Sequence, residues 1–212
     1  MKITGLKIHI FSSQHKNAKR NWLIVRLFTD EGIEGIGESS MLSNDPLVES
    51  LLEDWVQNYL IGKDPMSVEL HWTRLYLDNM DKGGRLFSTA LSCIDIALWD
   101  IRGKALGLPI YMLLGGPVRD KIGLYTHPPN PGGDVDLAIA DAKELVASGH
   151  RAFKFDPMMN SIPEGNAHYI DGQITRAGME LAWEITGAVR DAVGPSIEIL
   201  IDAHGKYLSL IH

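Results

Sequence analysis

Hydrophobic and polar positions change rhythm twice along the chain. Up to Glu38 the rhythm is two. Ile8 and Ile10 alternate with polar neighbours in Met1–Phe11, and Trp22–Phe28 is apolar and β-branched in the same manner. A period of two marks strands with one buried face. Asp30-Glu31-Gly32 is a turn signal, and Ile33–Glu38 returns as a third strand. The opening therefore predicts an antiparallel sheet with a hairpin. The polar segment Ser12–Asn21 joins the first two strands, with a length and polarity common in functional loops.

From Asn44 the rhythm lengthens to three or four. Asn44-Asp45-Pro46 is a helix-start signal, and Val48, Leu51, Leu52, Trp55, Val56 and Tyr59 follow the helical period. Asp64-Pro65 opens a second helix carrying Leu70, Trp72 and Leu75. A third runs from about Ser88 to Leu106, with Leu91, Ile94, Ala97, Leu98, Ile101 and Ala105 on one face, and Gly107 and Pro109 stop it. Pro109–Leu114 adds a turn or two, closed by Gly115-Gly116.

After Arg119 strands and helices alternate. Ile122–Tyr125, Ala152–Phe155 and Ile197–Ile201 read as strands. Asp136–Ser148, with Leu137, Ala140, Leu145 and Val146, and Gln173–Val193 read as helices. Such alternation predicts parallel strands joined by crossovers, buried on both faces. The expected organisation is an α+β domain over residues 1–120, followed over 121–212 by the first three units of a (β/α) barrel. Three strands cannot close a barrel that needs eight. The second part is then either a truncated barrel or a small open α/β sheet.

Composition narrows the class. The 212 residues are 45% hydrophobic and 22% charged, and 20 basic against 27 acidic side chains give a net charge of −7. That is globular composition, without the basic surface that nucleic acid requires. No stretch is long and apolar enough to span a membrane, and the alternating N-terminus is unlike a signal peptide. A cytoplasmic protein is expected, with no nucleic-acid or membrane partner. The lone cysteine, Cys93, lies among Leu91, Ile94, Ala97 and Leu98. It reads as an inert core thiol.

The candidate chemistry sits at strand ends. Asp156 follows the second barrel strand and Asp202 the third; barrels gather such groups at their catalytic mouth. His204 is two residues beyond Asp202, so in a continuing strand both would face one pocket. A carboxylate suits Mg²⁺ and an imidazole suits proton transfer. Lys154, on a strand among aromatics, needs either a carboxylate partner or a catalytic or substrate-binding role.

Several motifs together resemble the enolase superfamily, in its mandelate racemase/muconate lactonizing branch. They are Asp30-Glu31-Gly32 with Gly35-Ile36-Gly37-Glu38; Gly62-Lys63-Asp64-Pro65; Gly83-Gly84 with the run Ala90–Lys104; and Leu108-Pro109-Ile110-Tyr111 through Gly115-Gly116-Pro117-Val118-Arg119-Asp120. The resemblance implies a capping domain followed by a barrel, Mg²⁺ held by acidic residues on three successive strands, and abstraction of a proton α to a carboxylate. Asp202 matches the first ligand. The other two ligands and a His–Asp base would lie beyond residue 212, so the 212-residue chain is expected to be inactive alone.

Racemases of this branch carry Lys-x-Lys where this chain has Lys154-Phe155-Asp156, and Asp156 cannot replace the second lysine. The run Asp202-Ala203-His204-Gly205-Lys206 is similar to the Asp-x-His-Gly-Arg run of galactonate-type sugar-acid dehydratases. His204 would there be the acid that helps the 3-hydroxyl depart, giving a 2-keto-3-deoxy acid. Lys206 in place of arginine, and Asp156, leave the exact acid open. The resemblance also implies that Lys16, Lys19 and Arg20, with the loop at Met41–Asp45, lie near the far end of the substrate, unless that basic loop is merely solvated. Homo-oligomer formation is expected. The alternatives are an epimerase or cycloisomerase of the same superfamily, and a non-catalytic fragment or assembly module.

Overall fold

The computed structural model of the protein describes residues 1–13, 20–39, 44–79, 83–129, 133–158, 169–170 and 173–203. The chain divides into two compact units, Met1–Asp120 and Lys121–His212.

The first unit opens with β1 (Ile3–Ser13), β2 (Arg20–Thr29) and β3 (Glu34–Ser39), an antiparallel sheet in the order β1-β2-β3. Ile8 faces Val25, and Val25 faces Gly37. Alternation sorts the faces. Leu23, Val25 and Leu27 are fully buried, whereas Trp22 and Ile36 are exposed. Both strands flanking the first loop run further than the hydrophobic pattern indicates. Ser12 Oγ hydrogen-bonds to Asn21 Oδ1 across the ladder at 2.9 Å, so the segment Ser12–Asn21 is partly sheet.

Four helices complete the unit: α1 (Asp45–Trp55), α2 (Val68–Leu77), α3 (Arg85–Leu106) and the short α4 (Ile110–Leu113). α1 continues as a π-helical turn, Val56–Leu60, that buries Val56 and Leu60. α2 only partly follows its expected face. Leu75 is buried as expected, but Leu70 is 62% exposed and Trp72 is also exposed, and Val68 and His71 join Leu75 on the buried face. A histidine is buried because both ring nitrogens are used. Nε2 is 2.8 Å from the Asp64 carbonyl, which can only accept, so Nε2 carries the proton. Nδ1 then accepts from the Tyr59 hydroxyl at 3.0 Å.

β3 lies directly against α3, and two glycines permit it. A Cβ at Gly35 would stand 2.0 Å from the Ala97 carbonyl oxygen, and one at Gly37 would stand 2.0 Å from that of Cys93. The outer edge of β3 is capped by the same helix. Asp100 Oδ2 accepts the Ile36 amide at 2.8 Å, and Lys104 Nζ donates to the Glu34 carbonyl at 2.8 Å. A sheet edge is thereby closed to further strand pairing.

Cys93 donates to the Glu38 carbonyl at 3.2 Å and is fully buried. Burial pushes its thiol from 9.0 up to about 12, against a weaker lowering by Ser39. A raised pKa in the folded state means full stability below pH 9, lost as pH rises toward the folded value. In that window each pH step removes about 1.4 kcal/mol. The stability advantage of the wild type over Cys93→Ala, from urea unfolding at pH 7 to 10.5, should narrow above pH 9. A constant gap would refute this.

The second unit is built on β4 (Ala152–Phe155) and β7 (Glu198–Ile201), paired in parallel with Phe155 opposite Ile201. The expected strand at Ile122–Tyr125 is not formed. Its residues are exposed, and a single bridge joins Thr126 to Phe153. The Thr126 amide donates to the Ala152 carbonyl at 3.2 Å, and the Lys154 amide donates to the Thr126 carbonyl at 2.8 Å. The pairing is therefore real but starts later, because Ile122 and Leu124 find no apolar cover among the described residues. Two short strands, β5 (Tyr169–Ile170) and β6 (Gln173–Ile174), form a hairpin where helix was expected from Gln173.

α5 (Val135–Ala147) and α6 (Arg176–Val193) begin at the side-chain caps Asp134 and Thr175. They enclose Ala138, Ala142, Phe153, Phe155, Ile185 and Val189. Leu137 is exposed, contrary to its expected core position, and Ala138, Asp141 and Ala142 take the buried face of α5.

Candidate functional site

The candidate site lies within the second unit, where the chain leaves the carboxyl ends of its parallel strands. Lys154 and the Phe155–Asp156 junction end β4, and Asp202 directly follows β7. Register places them. Phe155 pairs with Ile201, and the Asp202 amide donates to the Phe155 carbonyl at 3.0 Å, which fixes Asp202 beside the end of β4.

Two of the expected site residues meet there. Lys154 Nζ is 2.7 Å from Asp202 Oδ2, and the two side chains are 23% and 22% exposed. The hydrogen bond to Asp202 holds the Lys154 ammonium above the usual lysine range. Partial burial opposes this and Tyr125 adds to it. Held so, Lys154 is a cation at neutral pH and a poor proton acceptor. It is suited to neutralising a carboxylate rather than to acting as a base. Of the two readings open for Lys154, the carboxylate partner is thus present, and it is the very residue expected to bind metal.

Asp156 is 3% exposed, and its Oδ1 accepts the Met158 amide at 3.0 Å. It shapes the turn that leaves β4. His204, Lys16 and Lys19 lie outside the described residues, as do Met41–Ser43. Arg20 begins β2, and its side chain also lies outside the description. Asp45, the last residue of the Met41–Asp45 loop, opens α1 and is fully buried.

Sequence reasoning did not single out Tyr125. Its ring centroid is 5.4 Å from Lys154 Nζ, and His127 lies 5.9 Å from it, ring to ring. The spacing Tyr125-x-His127 on the segment preceding β4 was the available signal. Among the described residues, no three His, Cys, Asp or Glu side chains cluster as a metal site, and no helix is long and apolar enough to cross a membrane. Asp202 supplies one hard oxygen donor of the kind Mg²⁺ prefers, shared with an ammonium group.

Known proteins are similar to this chain in sequence and fold. The D-galactonate dehydratase of Pectobacterium atrosepticum is 37% identical over 186 residues, covering 87% of this chain and 45% of that protein. A member of the enolase superfamily from Salmonella Typhimurium superposes with a TM-score of 0.85 at 32% identity, covering 97% of this chain and 55% of that one. An enolase from Agrobacterium radiobacter, solved with sodium and L-malate bound, superposes with a TM-score of 0.77 at 28% identity, covering 96% of this chain and 48% of that one. The chain spans about half the length of the curated relatives it matches. The family described as mandelate racemase / muconate lactonizing enzyme, N-terminal domain, matches residues 6–115, which are the sheet and helices of the first unit. With that match the first unit is the capping domain and the second the start of a barrel, and the chain belongs to the mandelate racemase / muconate lactonizing enzyme family of the enolase superfamily.

Proposed function

We propose that this chain carries part of the active site of a Mg²⁺-dependent dehydratase that converts a sugar acid to a 2-keto-3-deoxy acid. The observation that carries the reading is the Lys154–Asp202 pair at the carboxyl ends of adjacent parallel strands, two residues before His204. The names of the D-galactonate dehydratase relatives support the substrate class.

Asp202 would be one ligand of the metal. When bound, Mg²⁺ supplies Lewis-acid neutralisation of charge developing on the substrate carboxylate. Lys154 offers a fixed positive charge to the same carboxylate. His204 would donate a proton to the 3-hydroxyl, which leaves as water after the α-proton is removed. Asp156 organises the turn after β4, and Lys16, Lys19 and Arg20 would meet the distal hydroxyls. An assembly of several copies is part of the same reading.

The test uses the polypeptide as its gene encodes it, with intact mass measured first. Sugar acids, D-galactonate among them, are then incubated with Mg²⁺ and assayed for 2-keto acid. His204→Asn should lower turnover by about 10²-fold or more, the worth of a general acid, and the protein should stay folded. Product with an inverted centre and no loss of water would favour an epimerase. An intact mass of 23.5 kDa with no turnover on any acid would leave the non-catalytic reading.

A further inference from the structure

Lys154 sits in the middle of three neighbouring chain segments and has a partner on each side. Toward β7 its ammonium meets Asp202. Toward the segment at Thr126 it lies over the Tyr125 ring, 5.4 Å from the centroid. The backbone fixes both neighbours. Thr126 exchanges hydrogen bonds with Ala152 and Lys154, and Asp202 bonds back to Phe155.

One partner would not fix this lysine. An ion pair that solvent reaches is screened, and holding a four-carbon stem in one rotamer costs entropy that offsets most of the attraction. A cation over an aromatic face adds attraction of its own, and the ring excludes alternative rotamers. Tyr125 is itself 48% exposed, so its place is not explained by filling a core.

We propose that Tyr125 is a positioning residue, holding the Lys154 ammonium beside Asp202 so that the site presents a fixed cation next to its carboxylate. The value of this for catalysis rests on the dehydratase reading; the clamp itself does not.

Competitive acetylation of lysines at one fixed pH, read by peptide mass spectrometry, tests the clamp without substrate or metal. The exposed Lys143 on α5 is the internal reference. In the wild type Lys154 should react more slowly than Lys143. Tyr125→Leu should raise the Lys154 rate by about three- to fivefold, and Tyr125→Phe, which keeps the ring, by less. Circular dichroism should be unchanged in both. In protein that turns over, both variants should raise KM more than they lower kcat. An unchanged Lys154 rate in folded Tyr125→Leu overturns the proposal and leaves the dehydratase reading standing. A Tyr125-dependent rate in protein that dehydrates no acid keeps the clamp and removes the catalytic reading alone.

Discussion

Gly37→Ala is expected to destabilise the capping domain by about 3 kcal/mol or more, the upper range for forcing an atom into a packed core. The added Cβ would stand 2.0 Å from the Cys93 carbonyl oxygen, 2.9 Å from its carbon and 3.3 Å from its Cα. All three are backbone atoms of a 22-residue helix, so no side-chain rotation relieves the clash. α3 must withdraw from β3. That would loosen the Asp100 and Lys104 bonds to the β3 edge and the contacts of fully buried Ala97 and Leu98. Gly35→Ala should behave alike, since it meets the Ala97 carbonyl oxygen at 2.0 Å. Gly187→Ala is the control of opposite sign. It lies within α6 with nothing within 4 Å of a built Cβ, and should gain about 0.5–1 kcal/mol from helix propensity. Urea midpoints measure all three. A Gly37→Ala protein within 1 kcal/mol of wild type would show that the close approach is not a structural requirement.

On the proposed dehydratase reading, Asp202→Asn should reduce dehydration by about 10³-fold or more, the equivalent of the several kcal/mol that a bound metal contributes. The change is nearly isosteric, so the Asp202 amide bond to Phe155 and the end of β7 should persist. What changes is charge. Lys154 loses the carboxylate that holds it, and one hard donor for a divalent cation becomes a neutral amide. Two readouts separate these effects. Titration calorimetry with Mg²⁺ should show weakened binding, and lysine labelling should show a faster Lys154. Full activity in Asp202→Asn would remove Asp202 from the metal site, whatever happened at Lys154.

Much of the architecture was legible in the residues. The period of two in β2 and the stop at Gly107, whose φ is 65°, are local signals that appear in the structure at or near their expected places. The failures share a cause. Leu70, Trp72 and Leu137 fit a helical stripe, yet each is exposed, and Val68 and His71 on α2 and Ala138 and Ala142 on α5 turn inward beside the expected Leu75, Leu145 and Val146. Several apolar residues per turn admit more than one stripe, and only the neighbouring surface selects it. Ile122–Tyr125 has strand composition, but its pairing begins at Thr126 because register is set by Ala152 and Lys154 on the other segment.

The sequence by itself determined most of the strands and helices and the family to which the chain belongs, because periodicity and motif spacing are written in residues close along the chain. The tertiary structure decided that Lys154 answers Asp202 and leans on Tyr125, and that Gly35 and Gly37 exist to admit α3. Such contacts join residues far apart in sequence, and they follow from strand register and from how closely two backbones can approach, which no local pattern encodes.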